Sequence, residues 1–182
     1  MYGLINHALK EFLIARHGED VWRHVETQLD LREPFVMMCQ YPDTVTANMV
    51  AVASQALSWS PEVLLKDFGA YWVSYAAEGR YRDLFSMLGS TLPVVLQNLD
   101  LMHARIALSL PDLSPPSFRC TDVSSEGLTL HYYSLRPGLT AFVVGLVQGL
   151  AARCDVAVNI RVLRTRQSGH DHDEFRVTYV SR

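Results

Sequence analysis

The chain has few cysteines and no paired cysteine motif, which excludes two classes of small protein. Its 182 residues include three cysteines, Cys39, Cys120 and Cys154, at wide spacings and without a C-x-x-C pair. An odd count at such spacings argues against a disulfide framework and against a thiolate zinc site. Free thiols are typical of a reducing compartment, so we expect a cytoplasmic protein.

The chain also has little charge and no long uncharged run. Charged residues make up 19% of it, and the formal net charge is −3. The basic residues are scattered, which predicts no binding to nucleic acid or to an anionic membrane. Its uncharged runs, such as Pro137 to Ala152, are shorter than the about 20 residues that a membrane helix needs. Glu11, Arg16 and Glu19 interrupt the first segment, which therefore lacks a signal-peptide pattern.

What the sequence does have is a change of hydrophobic period along the chain. We expect one domain over residues 1–182, mainly helical over 1–110 and α/β over 111–182. The predicted helices cover residues 1–17, 20–29, 44–57, 62–78, 81–88, 91–110 and 139–152. The predicted strands cover residues 118–123, 128–135, 156–163 and 175–180. This order predicts an α+β fold: a helical part, then hairpin, helix and hairpin, with a four-stranded, largely antiparallel sheet.

His103 is the first candidate for chemistry. It follows Leu99 by one turn on the apolar face of the predicted helix over 91–110. One interpretation is a core histidine bonded to a backbone carbonyl. The other is a neutral imidazole that ligates a metal. A single ligand does not make a zinc site, but it suffices for haem iron, because the porphyrin supplies four further ligands.

The strand over 128–136 is the second candidate. Leu128, Leu130, Tyr132, Ser134 and Arg136 share one parity, so a regular strand places them on one face. That face starts apolar and ends in three donors, which suits an amphiphilic ligand with acid groups, such as haem with its propionates. Alternatively, Tyr132 and Arg136 satisfy nearby helix or loop carbonyls.

One other group of residues gives weaker evidence for a function. A polar loop contains the consecutive residues His170, Asp171, His172 and Asp173. One interpretation of this segment is a site for a divalent metal, and the other is a set of solvated turn residues. Motifs of serine hydrolases, zinc proteases and phosphate-binding loops do not occur. We therefore expect no enzyme. The rival hypotheses are a haem or metal enzyme that uses His103 and a metal-free binder of an amphiphilic acid.

Several stretches together resemble the H-NOX family, the haem–nitric oxide/oxygen-binding domains, which include the haem domain of the soluble guanylate cyclase beta subunit and bacterial stand-alone proteins. The resemblance runs nearly end to end. Its most specific element is the Y-x-S-x-R pattern of Tyr132, Ser134 and Arg136. The other stretches are MYGLINHAL at the start, QNLDLMH at 97–103, PSFRCTD at 116–122 and LHYYS at 130–134.

The resemblance implies a role for each matched residue, with haem b (iron protoporphyrin IX) held between the two parts of the fold. His103 is the implied iron ligand, and Tyr132, Ser134 and Arg136 are the implied propionate clamp. Pro116 is the implied proline that presses on the porphyrin. The remaining implied contacts are Leu99 and Met102 on the proximal side and Ile5, Leu9, Trp72, Phe142 and Leu146 on the distal side.

The resemblance also implies a sensor of nitric oxide at ferrous haem, which also binds carbon monoxide. Oxygen-binding members carry a distal tyrosine where this chain has Phe142, so we expect no stable oxygen complex. The indole of Trp72 keeps an oxygen sensor open as the alternative. Signalling is expected through a weaker bond between iron and His103, read by a histidine kinase, a cyclic-nucleotide or cyclic-dinucleotide enzyme, or a fused output domain.

Overall fold

Helices occupy the first part of the chain and strands the last part, as predicted. The computed structural model describes residues 1–78, 82–109 and 114–180. The helices are α1 (Gly3–His17), α2 (Glu19–Gln28), α3 (Asp43–Leu57), α4 (Pro61–Glu78), α5 (Arg82–Ser86), α6 (Leu92–Gln97), α7 (Leu99–Ser109) and α8 (Thr140–Arg153). The predicted helix start at Tyr81 and the predicted helix end at Leu110 lie outside the described residues.

The strands form one four-stranded antiparallel sheet in the order β1-β2-β4-β3, which confirms the predicted α+β class. They are β1 (Ser117–Thr121), β2 (Gly127–Tyr133), β3 (Ala157–Arg164) and β4 (Asp173–Val180). Side chains alternate between the two faces. Leu128, Leu130 and Tyr132 of β2 are buried in the core. His131 and Tyr133 therefore lie on the outer face.

Close contact between α4 and α8 brings the two parts of the molecule together. A Cβ at Gly145 would lie 1.8 Å from the carbonyl oxygen of Lys66, and one at Gly149 would lie 2.9 Å from that of Ala70. Both distances are below normal contact, so only glycine permits this approach. The contact fixes the spacing between two helices that line the functional cavity.

Two of the differences between the predicted and the observed elements bear on the functional site. The helix predicted over 91–110 is divided at Asn98 into α6 and α7, and the Asn98 side chain donates a hydrogen bond to the carbonyl of Leu88 at 2.9 Å. Strand β2 ends at Tyr133, which pairs with Ser117. Pro115 and Pro116 precede Ser117 and lack the N–H groups that would continue the ladder. Ser134 and Arg136 therefore lie in a loop after the strand.

None of the described helices is long and apolar enough to cross a membrane. The three cysteines are free thiols.

Candidate functional site: an apolar cavity between the helices and the sheet

A cavity of about 930 Å³, including the space at its mouth, lies between the helical part and the α/β part. Helices α1, α3, α4, α5, α7 and α8, strands β1 and β2 and the loop after β2 contribute to its wall. The lining residues predicted from the sequence are Ile5, Trp72, Leu99, Met102, His103, Pro116, Tyr132, Ser134, Arg136, Phe142 and Leu146.

Leu9 was predicted with this group but does not line the cavity. It is fully buried in a second cluster with Phe12 and Leu64, between the N-terminal helices. Sequence reasoning missed further lining residues. A signal was available for many of them, because they lie three or four positions from a predicted residue on the same helix or on the same strand face. These residues are Met1, Thr46, Leu65, Phe68, Phe85, Phe118, Leu139, Val143 and Leu150.

His103, on α7, has a defined protonation state at this cavity. Its Nδ1 lies 3.1 Å from the carbonyl oxygen of Pro116, and because a carbonyl only accepts, Nδ1 carries the proton. Burial lowers the pKa of His103, while the Pro116 bond and the charge of Asp100 partly offset that effect. The ring is therefore neutral near pH 7. Nε2 then holds the lone pair that a metal ion requires.

Asp100 attaches the same helix to the sheet. Its carboxylate accepts a hydrogen bond from the backbone N–H of Phe118 at 2.6 Å and one from the hydroxyl of Ser117 at 2.9 Å. The bond between His103 and Pro116 lies one turn further along α7. Together these bonds hold one side of α7 against the start of β1. These bonds connect His103 and its helix directly to the sheet.

Tyr132, Ser134 and Arg136 gather at the end of β2. Tyr132 is buried, and burial raises its pKa, an effect that the hydrogen bond with Ser134 and the charge of Arg136 partly offset. The Ser134 hydroxyl accepts a bond from the backbone N–H of Arg136 at 3.1 Å. The Arg136 guanidinium donates to the carbonyl of Ser114 at 3.1 Å. A cation and two hydroxyls thus stand at one end of an otherwise apolar cavity.

Asp43 is the carboxylate partner of this cation. The Nε of Arg136 lies 3.1 Å from the nearer Asp43 carboxylate oxygen, and the amino group of Met1 also bonds this carboxylate. Partial burial would raise the pKa of Asp43, but bonds from the Met1 amine and from Arg136 outweigh it and lower that pKa. Two cations therefore share one half-exposed acid, which leaves a surplus of positive charge for an anionic ligand.

The wall formed by α1, α4 and α8 is apolar. Phe142 packs on Phe68 with ring centroids 5.5 Å apart, and Ile5 and Leu146 complete this wall. None of these four side chains has a hydrogen-bond donor. Trp72 is the exception, and its ring stacks on Tyr75 at a centroid distance of 6.0 Å.

The chain belongs to the Haem-NO-binding family, whose model matches residues 2–162. The family consists of haem-based gas-sensor domains. The chain is 30% identical to soluble guanylate cyclase gcy-32 of Caenorhabditis elegans, over 97% of this chain and 27% of that protein. It is 35% identical to guanylate cyclase soluble subunit beta-2 of Rattus norvegicus, over 54% of this chain and 15% of that protein. The chain thus spans about a quarter or less of the length of these relatives.

The fold is that of H-NOX proteins. A crystal structure of an H-NOX protein from S. oneidensis, in the Fe(II)NO ligation state, superposes with a TM-score of 0.90 at 20% identity and covers 100% of both chains. An unliganded Fe(II) H-NOX variant from K. algicida superposes with a TM-score of 0.85 at 17% identity, over 100% of this chain and 97% of that chain.

The residues of the cavity fit a haem group. A neutral imidazole with its Nδ1 proton fixed by a carbonyl is the arrangement found for metal-ligating histidines. The cavity walls are mainly apolar, as a porphyrin requires. Arg136, Tyr132 and Ser134 supply the donors that carboxylates prefer. His103 would hold the iron, and these three residues would hold the propionates.

Proposed function

We propose that this chain is a nitric oxide sensor that uses haem b, with His103 as the protein ligand to the iron and Tyr132, Ser134 and Arg136 as the propionate clamp. The neutral ring of His103 at the cavity, with its Nδ1 bound to the Pro116 carbonyl, carries this proposal. When bound, ferrous haem would supply an iron centre that can bind a diatomic gas.

The preference for nitric oxide over dioxygen rests on the distal wall. Dioxygen takes on negative charge when it binds, and a hydrogen bond to a charged group contributes about 1.5–3 kcal/mol. Ile5, Phe142 and Leu146 offer no such bond. Nitric oxide has little need of it. The pocket therefore favours nitric oxide and also accepts carbon monoxide.

Trp72 supports a second candidate, an oxygen sensor. Its side chain lines the cavity, and the indole N–H is a donor. In that case Trp72 would supply the hydrogen bond that Phe142 cannot. The two candidates differ in their response to air.

The contacts of α7 explain how gas binding would reach a partner. If nitric oxide weakens the attachment of His103, α7 keeps the bonds of Asp100 to Ser117 and Phe118 but loses its restraint toward the cavity. Two packings of α7 against β1 then correspond to the two ligand states. Leu101 and Leu108 on α7 are 53% and 87% exposed, and they offer apolar contacts to an effector. Such an effector would be a histidine kinase, a cyclic-nucleotide or cyclic-dinucleotide enzyme, or a fused output domain.

The absorption spectrum of the reduced, haem-loaded protein tests this proposal. We expect a large shift of the haem band with nitric oxide and no persistent band of an oxygen complex in air. Phe142→Tyr adds a donor to the distal wall and should create an oxygen response, whereas Phe142→Leu, which adds none, should not. A stable response of the wild type to air that Trp72→Phe abolishes would favour the oxygen sensor instead.

A further inference from the structure

Two histidines and a glutamate meet on the face of the sheet that points away from the cavity. His131 on β2 pairs across the strands with Glu174 on β4. His172 immediately precedes β4, and its ring stacks on Tyr133 with centroids 4.3 Å apart. The candidate ligand atoms of His131, His172 and Glu174 all lie within 4.8 Å of one another. The polar loop singled out in the sequence thus contributes one of its histidines to a three-residue cluster.

The hydrogen bonds of this cluster assign its protons. The Nδ1 of His172 donates to the Asp171 carboxylate at 2.7 Å, so in the neutral ring Nε2 holds the lone pair. That Nε2 lies 2.9 Å from the Nδ1 of His131. The Nε2 of His131 lies 2.9 Å from the hydroxyl of Thr121, which donates to it when His131 carries its proton on Nδ1.

This network has the form of a metal site with its outer partners already in place. Asp171 orients His172 in the carboxylate–histidine arrangement that is typical of zinc ligands. If the proton of His131 lies on Nε2, that N–H donates a hydrogen bond to the hydroxyl of Thr121. The Nδ1 of His131 is then free to act as a second ligand atom beside Nε2 of His172. Two ligands of one tetrahedral zinc ion lie about 3.4 Å apart, from bond lengths of about 2.1 Å. The 2.9 Å separation of the two nitrogens needs only a small ring rotation to reach that value.

Glu174 supplies the third ligand. Its carboxylate is largely buried, with 17% of the side chain exposed, and its nearest cation is Arg164 at 3.6 Å. That separation is long for a charge-assisted hydrogen bond, so the carboxylate can turn toward a metal at low cost. Arg119, which pairs with His131 across β1 and β2, is the main opposing charge.

We propose that His131, His172 and Glu174 bind one divalent transition-metal ion, of which zinc is the best match. Two imidazoles and one carboxylate leave a fourth position open for water or a partner's side chain. The site is independent of the haem cavity because it lies on the other face of the sheet. It would clamp β2 to the start of β4, beside Tyr132.

Calorimetric titration with zinc chloride tests the proposal. The haem-loaded protein would carry Cys39→Ser, which removes an exposed thiol, and would first be freed of metal with a chelator. We expect one zinc ion per chain. His172→Gln and Glu174→Gln should each weaken binding at least tenfold, by analogy with the loss seen even for outer-sphere partners. The matched control is His170→Gln, because His170 lies exposed in the same loop and outside the cluster.

Three results would overturn the proposal. The first is the absence of zinc binding to the parent protein. The second is unchanged affinity in both His172→Gln and Glu174→Gln. The third is an equal loss in His170→Gln, which would indicate adventitious binding by the loop. Circular dichroism and the haem spectrum verify that each variant is folded, and the two cluster variants give independent readings should one of them fail to fold.

Discussion

His103 and His131 occupy opposite sides of the same sheet region and differ in what surrounds their nitrogens. His103 has a peptide carbonyl on Nδ1 and an apolar cavity beside it. His131 has a second histidine on Nδ1 and a hydroxyl on Nε2. Burial is the largest effect on both residues and lowers the pKa of each. The pKa values of the two imidazoles are therefore shifted in the same direction, whereas the neighbours of the two rings differ.

The number of protein ligands at each place limits which metal it can hold. His103 offers one nitrogen to the cavity and needs a macrocycle to complete the coordination of iron. His131 stands with His172 and Glu174, so the protein alone approaches the ligand set of a zinc ion. The comparison predicts that each side responds to its own ligand and not to the other's.

The largest effect among these further predictions is expected at Arg136. Arg136→Ala removes the cation at the end of the cavity, and hydrogen bonds to charged groups contribute about 1.5–3 kcal/mol. Haem affinity should fall by about 10- to 150-fold, measured by haem transfer to an excess of an acceptor protein. The matched control is Arg119→Ala, because Arg119 lies on the outer face beside His131. Equal losses of haem affinity in the two variants would contradict the claim that only Arg136 contributes to haem binding.

A smaller effect is expected from pH. The pKa of His103 is lowered in the folded chain, so the unfolded chain binds more protons as pH falls below the ordinary histidine value of about 6.5. The contribution of His103 is therefore fully present above about pH 6.5 and is lost as pH falls toward the folded pKa, by at most about 1.4 kcal/mol per pH unit. Urea unfolding of the haem-free protein at about pH 7.5 and about pH 5.5 measures the loss.

His103→Gln should reduce this pH dependence, since glutamine does not titrate. His24→Gln is a suitable control, because His24 is exposed on α2. An unchanged pH dependence in His103→Gln, or an equal change in His24→Gln, would contradict the assignment of a buried, neutral ring to His103.

The period of the hydrophobic residues was enough to predict the order of helices and strands, because amphipathic faces are a local property of the sequence. The end of β2 was predicted wrongly, because it depends on Pro115 and Pro116 on the neighbouring strand, which no local pattern of β2 contains. Local patterns fail where a partner remote in sequence ends an element.

The functional residues were likewise predictable only where the local sequence pattern or the family resemblance indicated them. His103, Tyr132, Ser134 and Arg136 were predicted together, since the spacing and the family resemblance pointed to one ligand. The meeting of His131 with His172 was not predicted, because it depends on the register of β2 against β4. The role of Asp43 as partner of Arg136 was also missed, because the two residues are far apart in sequence.

The most direct test of the central claim compares His103→Gly with His131→Gln after reconstitution of each variant with haemin and reduction. We predict that the haem spectrum of His103→Gly loses the signature of a histidine ligand and regains it when imidazole is added. His131→Gln should match the wild type. A His103→Gly spectrum that equals the wild type without imidazole would contradict the assignment of His103 as the ligand of the haem iron.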